Sequence, residues 1–463
     1  MVHIKISKGL DIPLKGKPSG NVQLLTRGGE SSPLATPAQI SLDLQPFEDI
    51  KLKLLVKPDD HVLIGQPLAE NKANPGSFLV SPAAGTIKEI RRGAKRVPLE
   101  IIIDVAKEES YYAYPKIEAE RATPEELIEL FKHAGIFFSI RSRPFNLLCS
   151  PEKKPRSIFV KAVESAPLTP PAELHVMGHE KAFQMGLNAL AKLAKGSVHL
   201  VYRVDTNLRA FTDAQNVQKH TVEGPHPAAN ASLHIQNIDP ITSVDDHVWT
   251  LSARDVVAIG HLLLTGQHFI ERIISIAGPG ILPAKVGYFK IREGFPIAAL
   301  IAGRVPKGTM RFISGDPLMG KKVTATEFLG YNDTVFCAIP ESNEREFLHF
   351  FRLGMDKYTF SKTYGSGHLN NKNREYDFTT IQHGEQRAFI DSTLYDKVMP
   401  LDVPTMLLVK AVMAEDFDSA VKLGLLEVDS EDFALPTFVC LSKMEMTEII
   451  KTGLQQYSKE VLA

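Results

Sequence analysis

The chain has 463 residues, of which 44% are hydrophobic and 23% are charged, a composition typical of a globular protein with three or four domains. Its 53 basic and 54 acidic residues give a formal net charge of −1, which argues against nucleic acid as a partner. No stretch approaches the roughly 20 apolar residues that span a bilayer, and the strand-like opening from Met1 to Ile6 lacks the apolar core of a signal peptide, so we expect a cytoplasmic protein.

Two similar stretches, 56–68 and 80–87, alternate polar and apolar residues and then turn at glycine. Together they resemble the barrel-sandwich of biotinyl and lipoyl carrier domains. Lys72 lies near the position of a lipoyl lysine, but the following Asn74-Pro75-Gly76 lengthens the connection, whereas a carrier lysine projects from a tight hairpin tip. We interpret Lys72 as a solvated loop lysine and keep lipoylation as the alternative.

A capped helix follows. Thr123 is a suitable N-cap, Pro124 takes the first helical position, Glu126 completes a capping box and Gly135 ends the helix. The apolar residues 136–138 that come next are strand-like.

A parallel unit is predicted from a strand at Ser157 to Val163, a helix at His179 to Lys195 and a strand at Val198 to Val204. A dinucleotide-binding fold places glycines in the turn after its first strand so that backbone N–H groups can approach a pyrophosphate. Here that turn, Glu164 to Pro171, has three prolines and no glycine. We therefore expect an α/β domain that binds no nucleotide in this turn.

A further helix is predicted from the N-cap Ser252 to Leu264, with a capping box at Asp255. Strands at Arg272 to Ala277 and Lys285 to Ile291 follow, and with their turns they predict a small β-grasp domain. Beyond residue 340 helical patterns dominate, and the predicted helices are Glu344 to Leu353, Thr405 to Ala414, Phe417 to Leu423 and a last one from Ser442, boxed by Glu445, to the end.

Few sequence motifs suggest a phosphate, metal or cluster site. The stretch Gly315 to Lys322 approximates a phosphate-binding loop, but Pro317 removes a donor, Lys322 replaces the Mg²⁺-binding hydroxyl and no helix follows, so we predict a β-turn. The fifteen histidines show no metal-binding spacing. Neither a disulfide framework nor an iron-sulfur cluster can be built from three widely spaced cysteines, Cys149, Cys337 and Cys440.

Two arginines form the most suggestive pair. Arg141 and Arg143 are two residues apart on an extended segment, so their side chains point to the same side, next to Pro144-Phe145. Such a pair suits bidentate recognition of an acidic partner or an anion; a solvated or structurally salt-bridged pair is the alternative. We expect both side chains to emerge at the edge of a core rather than within it.

Short stretches spread over almost the whole chain resemble, in the same order, the NqrA family, the A subunits of the sodium-translocating NADH:quinone oxidoreductases: Lys8 to Pro13, Asn74 to Gly76, Arg92 to Val97, Arg141 to Phe145, Gly224 to Pro227, Val398 to Asp402, Leu423 to Glu427 and Thr437 to Cys440. The tail departs from the family, because Pro436 stands where a second cysteine is common and Leu441-Ser442 replace Pro-Gly. A role built on that cysteine pair does not carry over.

The resemblance extends to the architecture of the flavin-binding subunit of respiratory complex I and the C subunit of the Rnf complex, although this chain lacks their flavin loop and cysteine-rich cluster. Pattern and resemblance together predict a multidomain protein of mixed α/β and α+β class. Its predicted domains are a barrel-sandwich at 1–105, a Rossmann-like domain at 106–255, a β-grasp domain of the SLBB-like type at 256–338 and a helical domain at 339–463.

The resemblance implies a peripheral subunit on the cytoplasmic side of the bacterial inner membrane, in a complex that oxidises NADH, reduces ubiquinone and pumps Na⁺. FMN, FAD, riboflavin and iron-sulfur centres are expected on the B to F subunits, with the B subunit in the membrane as the main partner. We assign this chain no catalytic, cofactor-binding or metal-binding residue. Its expected contacts with quinone or a partner are Arg141, Arg143, Phe145 and His226. The alternative is a free cytosolic lipoyl-like carrier or ligand-binding adaptor.

Overall fold

The computed structural model describes residues 1–24, 37–343, 347–348, 351–369, 371 and 373–462. The strands are β1 (His3–Lys5), β2 (Gln23–Leu24), β3 (Gln39–Asp43), β4 (Leu52–Leu54), β5 (His61–Val62), β6 (Pro67–Asn71), β7 (Phe78–Val80), β8 (Gly85–Arg92), β9 (Pro98–Val105), β10 (Arg141–Arg143), β11 (Leu147–Leu148), β12 (Ser157–Ala162), β13 (Val198–Arg203), β14 (Gln218–Glu223), β15 (Val248–Ser252), β16 (Glu271–Ala277), β17 (Gly287–Arg292), β18 (Met310–Ser314), β19 (Lys321–Val323) and β20 (Val335–Pro340).

The α-helices are α1 (Pro124–His133), α2 (Ala172–Val176), α3 (Glu180–Leu193), α4 (Arg209–Thr212), α5 (Ala231–Ile238), α6 (Ala253–Thr265), α7 (Ile297–Ile301), α8 (Thr405–Met413), α9 (Phe417–Lys422), α10 (Ala434–Val439) and α11 (Met446–Val461).

Two small antiparallel sheets, β3-β9-β8-β5 and β4-β6-β7, enclose one apolar core and confirm the predicted barrel-sandwich. Phe47 in this core packs edge-on against Phe138 with ring centroids 5.1 Å apart, which joins the sandwich to the α/β part of the chain. The turn between β6 and β7 is long, as predicted, and Lys72 is exposed in it.

A seven-stranded sheet of order β1-β14-β13-β12-β15-β10-β11 forms the centre of the molecule, and β1, β14, β13, β12 and β15 run parallel. The predicted β12-α3-β13 unit is confirmed, as are the capping boxes of Thr123 with Glu126 and of Ser252 with Asp255. Strand β1 enters this sheet from the far N-terminus; the domain boundaries themselves stay predictions. Residues 136–138 were expected to be strand-like, but they belong to a 3-10 helix, Ile136–Ser139, that follows Gly135 in the left-handed conformation.

Helices α3 and α6 cross with their backbones in contact. A Cβ placed on Gly260 would lie 1.7 Å from the carbonyl oxygen of Ala182, and one on Gly186 would lie 2.2 Å from that of Val256. Both distances are far below a permitted contact, so each helix carries a glycine where the other helix presents a carbonyl.

The third sheet has the order β19-β18-β20-β16-β17-β2 and packs around its own apolar cluster. The strand expected from Lys285 begins only at Gly287, because Pro283–Lys285 form a 3-10 turn. The stretch Gly315 to Lys322 joins the antiparallel strands β18 and β19, which confirms a turn in place of a phosphate loop.

The helices α8, α9, α10 and α11 share one continuous apolar core with β1, β14 and β15 of the central sheet. The last helix begins at Met446 rather than at Ser442, because Lys443 has a left-handed backbone (φ 54°) that a helix cannot include. The Ser442 hydroxyl donates to the carbonyl of Ala388 at 3.1 Å, and Glu445 is the N-cap without a side-chain bond. Five of the ten residues of the helix predicted from Glu344 to Leu353 lie outside the described residues.

Candidate functional site

A cleft of about 370 Å³ opens at the carboxyl ends of β12 and β15. Successive crossovers from β12 run towards β13 on one side, while β15 lies on the other, so this is the point where the strand order reverses and where open α/β sheets bind ligands. Loops from the third sheet and from the C-terminal region close the opposite wall, contributing Asp316, Asp333, Asp429 and Glu431. We call this space the central cleft.

Arg141 and Arg143 both line the central cleft, as their spacing predicted. They lie on β10, which pairs antiparallel with β15 and places Arg141 opposite Thr250 and Arg143 opposite Val248. The expected position at the edge of a core is wrong for Arg143, which is 1% exposed. Strand β10 lies inside the sheet between β15 and β11, and α5 supplies a hydroxyl to this arginine, so the side chain is enclosed.

The guanidinium of Arg143 is incompletely bonded. Its Nη1 donates to Ser232 Oγ at 2.9 Å and its Nε to the carbonyl of Pro144 at 3.4 Å. Its Nη2 is buried and has no hydrogen-bond acceptor among the described residues. A buried donor without an acceptor costs free energy, on the order of 1–3 kcal/mol, and this guanidinium lies close enough to the buried carboxyls of Glu431 and Asp432 to oppose the rise that burial causes in their pKa values.

Arg141 is less enclosed and lies at the barrel-sandwich side of the cleft. Its guanidinium carbon is 5.8 Å from the centre of the Phe47 ring, a cation–π distance. Burial lowers the pKa of this guanidinium, and the nearby Asp429 carboxylate opposes that shift.

His226 and Phe145, the other two residues predicted to contact quinone or a partner, do not line the central cleft. His226 is 5% exposed, with Nδ1 3.0 Å from Ser165 Oγ, and it lines a second cavity of about 240 Å³ that shares Lys161 and Glu431 with the central cleft. Burial lowers the pKa of His226 to about 4, so the ring is neutral at pH 7. Phe145 packs against Tyr457 of α11 at 6.0 Å and therefore belongs to the core.

Several charged residues of the cleft were not identified from the sequence. Lys161 pairs with Glu164 at 3.2 Å, and Arg254 pairs with Asp255 at 3.0 Å. Glu431 lies among them, and burial raises the pKa of its carboxyl to about 7. Glu164 lies two residues after the end of β12 and could have been found from that position, but Glu431 comes from a segment more than 200 residues away in the chain.

The lining is richer in acids than in bases, with six acidic side chains against four basic ones. The basic residues are Arg141, Arg143, Lys161 and Arg254, and the acidic ones are Glu164, Asp255, Asp316, Asp333, Asp429 and Glu431. Burial raises the pKa values of Asp316, Asp333 and Glu431, so acids and bases in the lining are closer to balance in charge than in number. A neutral carbonyl oxygen can accept a hydrogen bond from an arginine in such a lining without bringing in a further charge.

A flavin or nicotinamide nucleotide does not fit these residues. The turn between β12 and α2 contains Pro167, Pro170 and Pro171, so it offers few N–H donors, and Glu164 stands where a phosphate would approach. Within the described ranges, no group of three or more His, Cys, Asp or Glu side chains is arranged to hold a metal ion.

A larger groove of about 590 Å³ lies elsewhere on the α/β part, between α3 and the start of β13. Its polar side chains are already bonded to one another: Asn188 Nδ2 donates to Glu120 Oε1 at 2.8 Å, and Lys192 donates to the Glu120 carbonyl at 2.7 Å. We assign no site to it.

In the part of the chain that the structure describes, no helix is long and apolar enough to cross a membrane.

Family models match three parts of the chain: an NqrA N-terminal barrel-sandwich hybrid domain at residues 4–106, an NqrA second alpha/beta domain at 122–268 and an NQRA C-terminal domain, of the SLBB type, at 273–325.

Among curated proteins, the chain is similar to the A subunit of the Na(+)-translocating NADH-quinone reductase from several bacteria. Identity is 38% for the protein of Chlamydia caviae, over 99% of this chain and 97% of that protein. It is 36% for the protein of Chlamydia pneumoniae, over 99% of this chain and 98% of that protein, and 35% for the protein of Tolumonas auensis, over 99% of this chain and 100% of that protein.

Among solved structures, an air-oxidized NAD+-reducing [NiFe]-hydrogenase matches 73% of this chain and 66% of its own chain, with 11% identity and a TM-score of 0.37. This similarity is too low to support an argument.

Proposed function

The chain belongs to the NqrA family, the A subunits of the Na⁺-translocating NADH-quinone reductases, and on that premise we propose that it is the peripheral subunit on the cytoplasmic side of the bacterial inner membrane. It is part of an oxidoreductase with several subunits, so its partners are the other subunits. The B subunit in the membrane is the proposed main neighbour. FMN, FAD, riboflavin and iron-sulfur centres are proposed to reside on the B to F subunits. The central α/β part is proposed to be Rossmann-like and the C-terminal helices to form the last structural unit.

For the central cleft we propose contact with the ring of ubiquinone. The incompletely bonded guanidinium of Arg143 in the wall of the cleft carries this proposal, because one of its N–H groups lacks an acceptor among the described residues. A quinone carbonyl is a neutral oxygen acceptor, which suits a lining of acidic and basic side chains. Arg141 stands on the same wall and is proposed to orient the ring from the side of Phe47, while His226 and Phe145 hold the surrounding structure.

The first prediction tests this contact in the assembled complex. Replacing Arg143 with lysine keeps the positive charge but exchanges the planar fork of the guanidinium for a single ammonium, which cannot donate in the same two fixed directions. The KM for ubiquinone should therefore rise about tenfold, the effect of one lost charged hydrogen bond. Oxidation of NADH with a soluble electron acceptor that bypasses quinone should be unchanged. The control is Arg121→Lys, which alters an exposed arginine with an 84% accessible side chain. An unchanged KM in the Arg143 variant would remove the cleft from the quinone site.

The second prediction concerns the absence of a covalent or bound cofactor. The purified chain should be colourless and have the mass of its sequence. The turn after β12, Glu164 to Pro171, is too rich in proline to bind a nucleotide phosphate, and Lys72 lies in a long turn rather than at a tight hairpin tip. Absorption spectra and intact mass measure this. A stoichiometric flavin spectrum, or an adduct on Lys72 that is lost in Lys72→Arg, would instead support the carrier alternative.

A further inference from the structure

Glu431 lies in the wall between two spaces, the central cleft of about 370 Å³ and the second cavity of about 240 Å³ that His226 lines. The charged residues that line both spaces are Lys161, Glu164, Asp316, Asp429 and Glu431. The two spaces therefore meet at a wall of ionisable side chains, and a side chain in that wall can exchange a proton with either of them.

The carboxyl of Glu431 differs from those of its acidic neighbours. Asp429 and Asp432 form the capping box of the short 3-10 helix Ser430–Phe433. The Asp432 carboxyl accepts hydrogen bonds from the Asp429 N–H and from the side-chain amide of Asn230, each at 2.8 Å. The Glu431 carboxyl accepts no hydrogen bond from any residue that the structure describes. It is therefore the acid of this segment that remains available to a ligand.

The surroundings of Glu431 suit a group that gains and loses a proton near neutral pH. Burial raises the pKa of its carboxyl to about 7, and the carboxylates of Asp429 and Asp432 act in the same direction. Lys161 and Arg143 oppose this rise, so they stabilise the carboxylate that remains once the proton has left. A general acid is most effective when its pKa lies near the working pH.

We infer that Glu431 donates a proton to ubiquinone in the central cleft, an inference that rests on the quinone contact proposed for Arg143. Oxidation of NADH by the complex supplies two electrons, and ubiquinone becomes ubiquinol when each of its two carbonyl oxygens also gains a proton. One new O–H bond forms as the O–H bond of the Glu431 carboxyl breaks, which leaves a carboxylate near Lys161. That carboxylate takes up a proton from solvent through the second cavity. The other quinone oxygen takes its proton from solvent at the mouth of the cleft.

The experiment measures ubiquinone reduction by the assembled complex between about pH 6 and pH 9. In the wild type, kcat should fall as the pH rises through about 7, because the donor must carry its proton. Glu431→Gln should lower kcat about 100-fold, a typical effect of losing a general acid, and the remaining rate should no longer show this decline. Glu431→Asp keeps a carboxyl and should recover part of the rate and the decline. NADH oxidation with a soluble acceptor that bypasses quinone should be unchanged in both variants.

The control is Glu445→Gln, which alters an exposed glutamate whose side chain makes no capping bond to α11, and it should keep the wild-type kcat and pH profile. A wild-type kcat in Glu431→Gln overturns the inference. A lower kcat with an unchanged pH profile also overturns it, because that result indicates a structural role.

Failure of the quinone contact itself has a different signature. If quinone does not bind at Arg143, the KM for ubiquinone stays unchanged in Arg143→Lys. If quinone binds there but takes its protons from another source, that KM rises while Glu431→Gln keeps a normal kcat and pH profile.

Discussion

Replacing Gly260 with alanine is expected to lower the free energy of unfolding by more than about 3 kcal/mol, because the new methyl group has no space. The Cβ would lie 1.7 Å from the Ala182 carbonyl oxygen and 2.5 Å from its carbonyl carbon, so the obstacle is backbone that no rotamer change can move. Helix propensity alone would favour alanine by roughly 0.5–1 kcal/mol, which opposes the expected loss. Urea unfolding followed by the fluorescence of the single, buried Trp249 measures the change.

The control for this prediction is Leu264→Ala in the same helix. Leu264 is 42% exposed, so its replacement should change stability by no more than about 0.5 kcal/mol. Loss of stability in both variants to the same degree would mean that α6 responds to any change in composition. Unchanged stability of the Gly260 variant would contradict the close crossing of α3 and α6, on which the position of β12 depends.

The parts of the fold that sequence predicts well are those fixed by local bonds. Thr123 and Ser252 begin helices because each finds an acidic partner three residues later, and both capping boxes form as predicted. Ser442 has the same local pattern with Glu445, yet its hydroxyl bonds to Ala388 instead. That bond joins residues more than 50 positions apart in the chain, so no local pattern could predict it.

In the candidate site, too, sequence predicts the local features and misses those that depend on distant segments. The pairing of Arg141 with Arg143 on one side of a strand is local, and the structure places both in the central cleft. The burial of Arg143 was not predictable, because Ser232 and the wall around Glu431 come from distant segments that meet only in the folded chain. The mixture of acidic and basic side chains in the cleft comes from these distant segments and cannot be read from the nearly neutral composition.

Acidification from pH 7 to pH 5 is expected to destabilise the isolated chain by several kcal/mol. His175, His220, His226 and His234 are buried, and burial lowers their pKa values to about 3 for His175 and about 4 for the others. In the unfolded chain they titrate near 6.5, so between pH 7 and pH 5 the unfolded state takes up protons that the folded state does not bind. Their stabilising effect is complete above pH 6.5 and is lost as the pH falls towards 4, at about 2 kcal/mol for each histidine by pH 5. Glu431 acts in the opposite direction, because its pKa is raised to about 7 and the folded state gains a proton there first.

Two variants separate these contributions in urea unfolding measured at pH 7, 6 and 5. His234→Gln keeps a donor for the Ala228 carbonyl, which lies 2.8 Å from His234 Nε2, but removes the titrating ring, so the slope of stability against pH should fall by about one proton. Glu431→Gln should steepen the slope and raise stability at pH 7, where the native carboxyl is partly ionised in a buried place. The control is Leu264→Ala, which changes an exposed side chain without a titratable group and should leave the slope unchanged. Two outcomes would contradict this prediction: a free energy of unfolding that is constant between pH 7 and pH 5, or a slope that neither buried variant alters. Either outcome would show that these histidines bind protons in the folded chain as they do in the unfolded one.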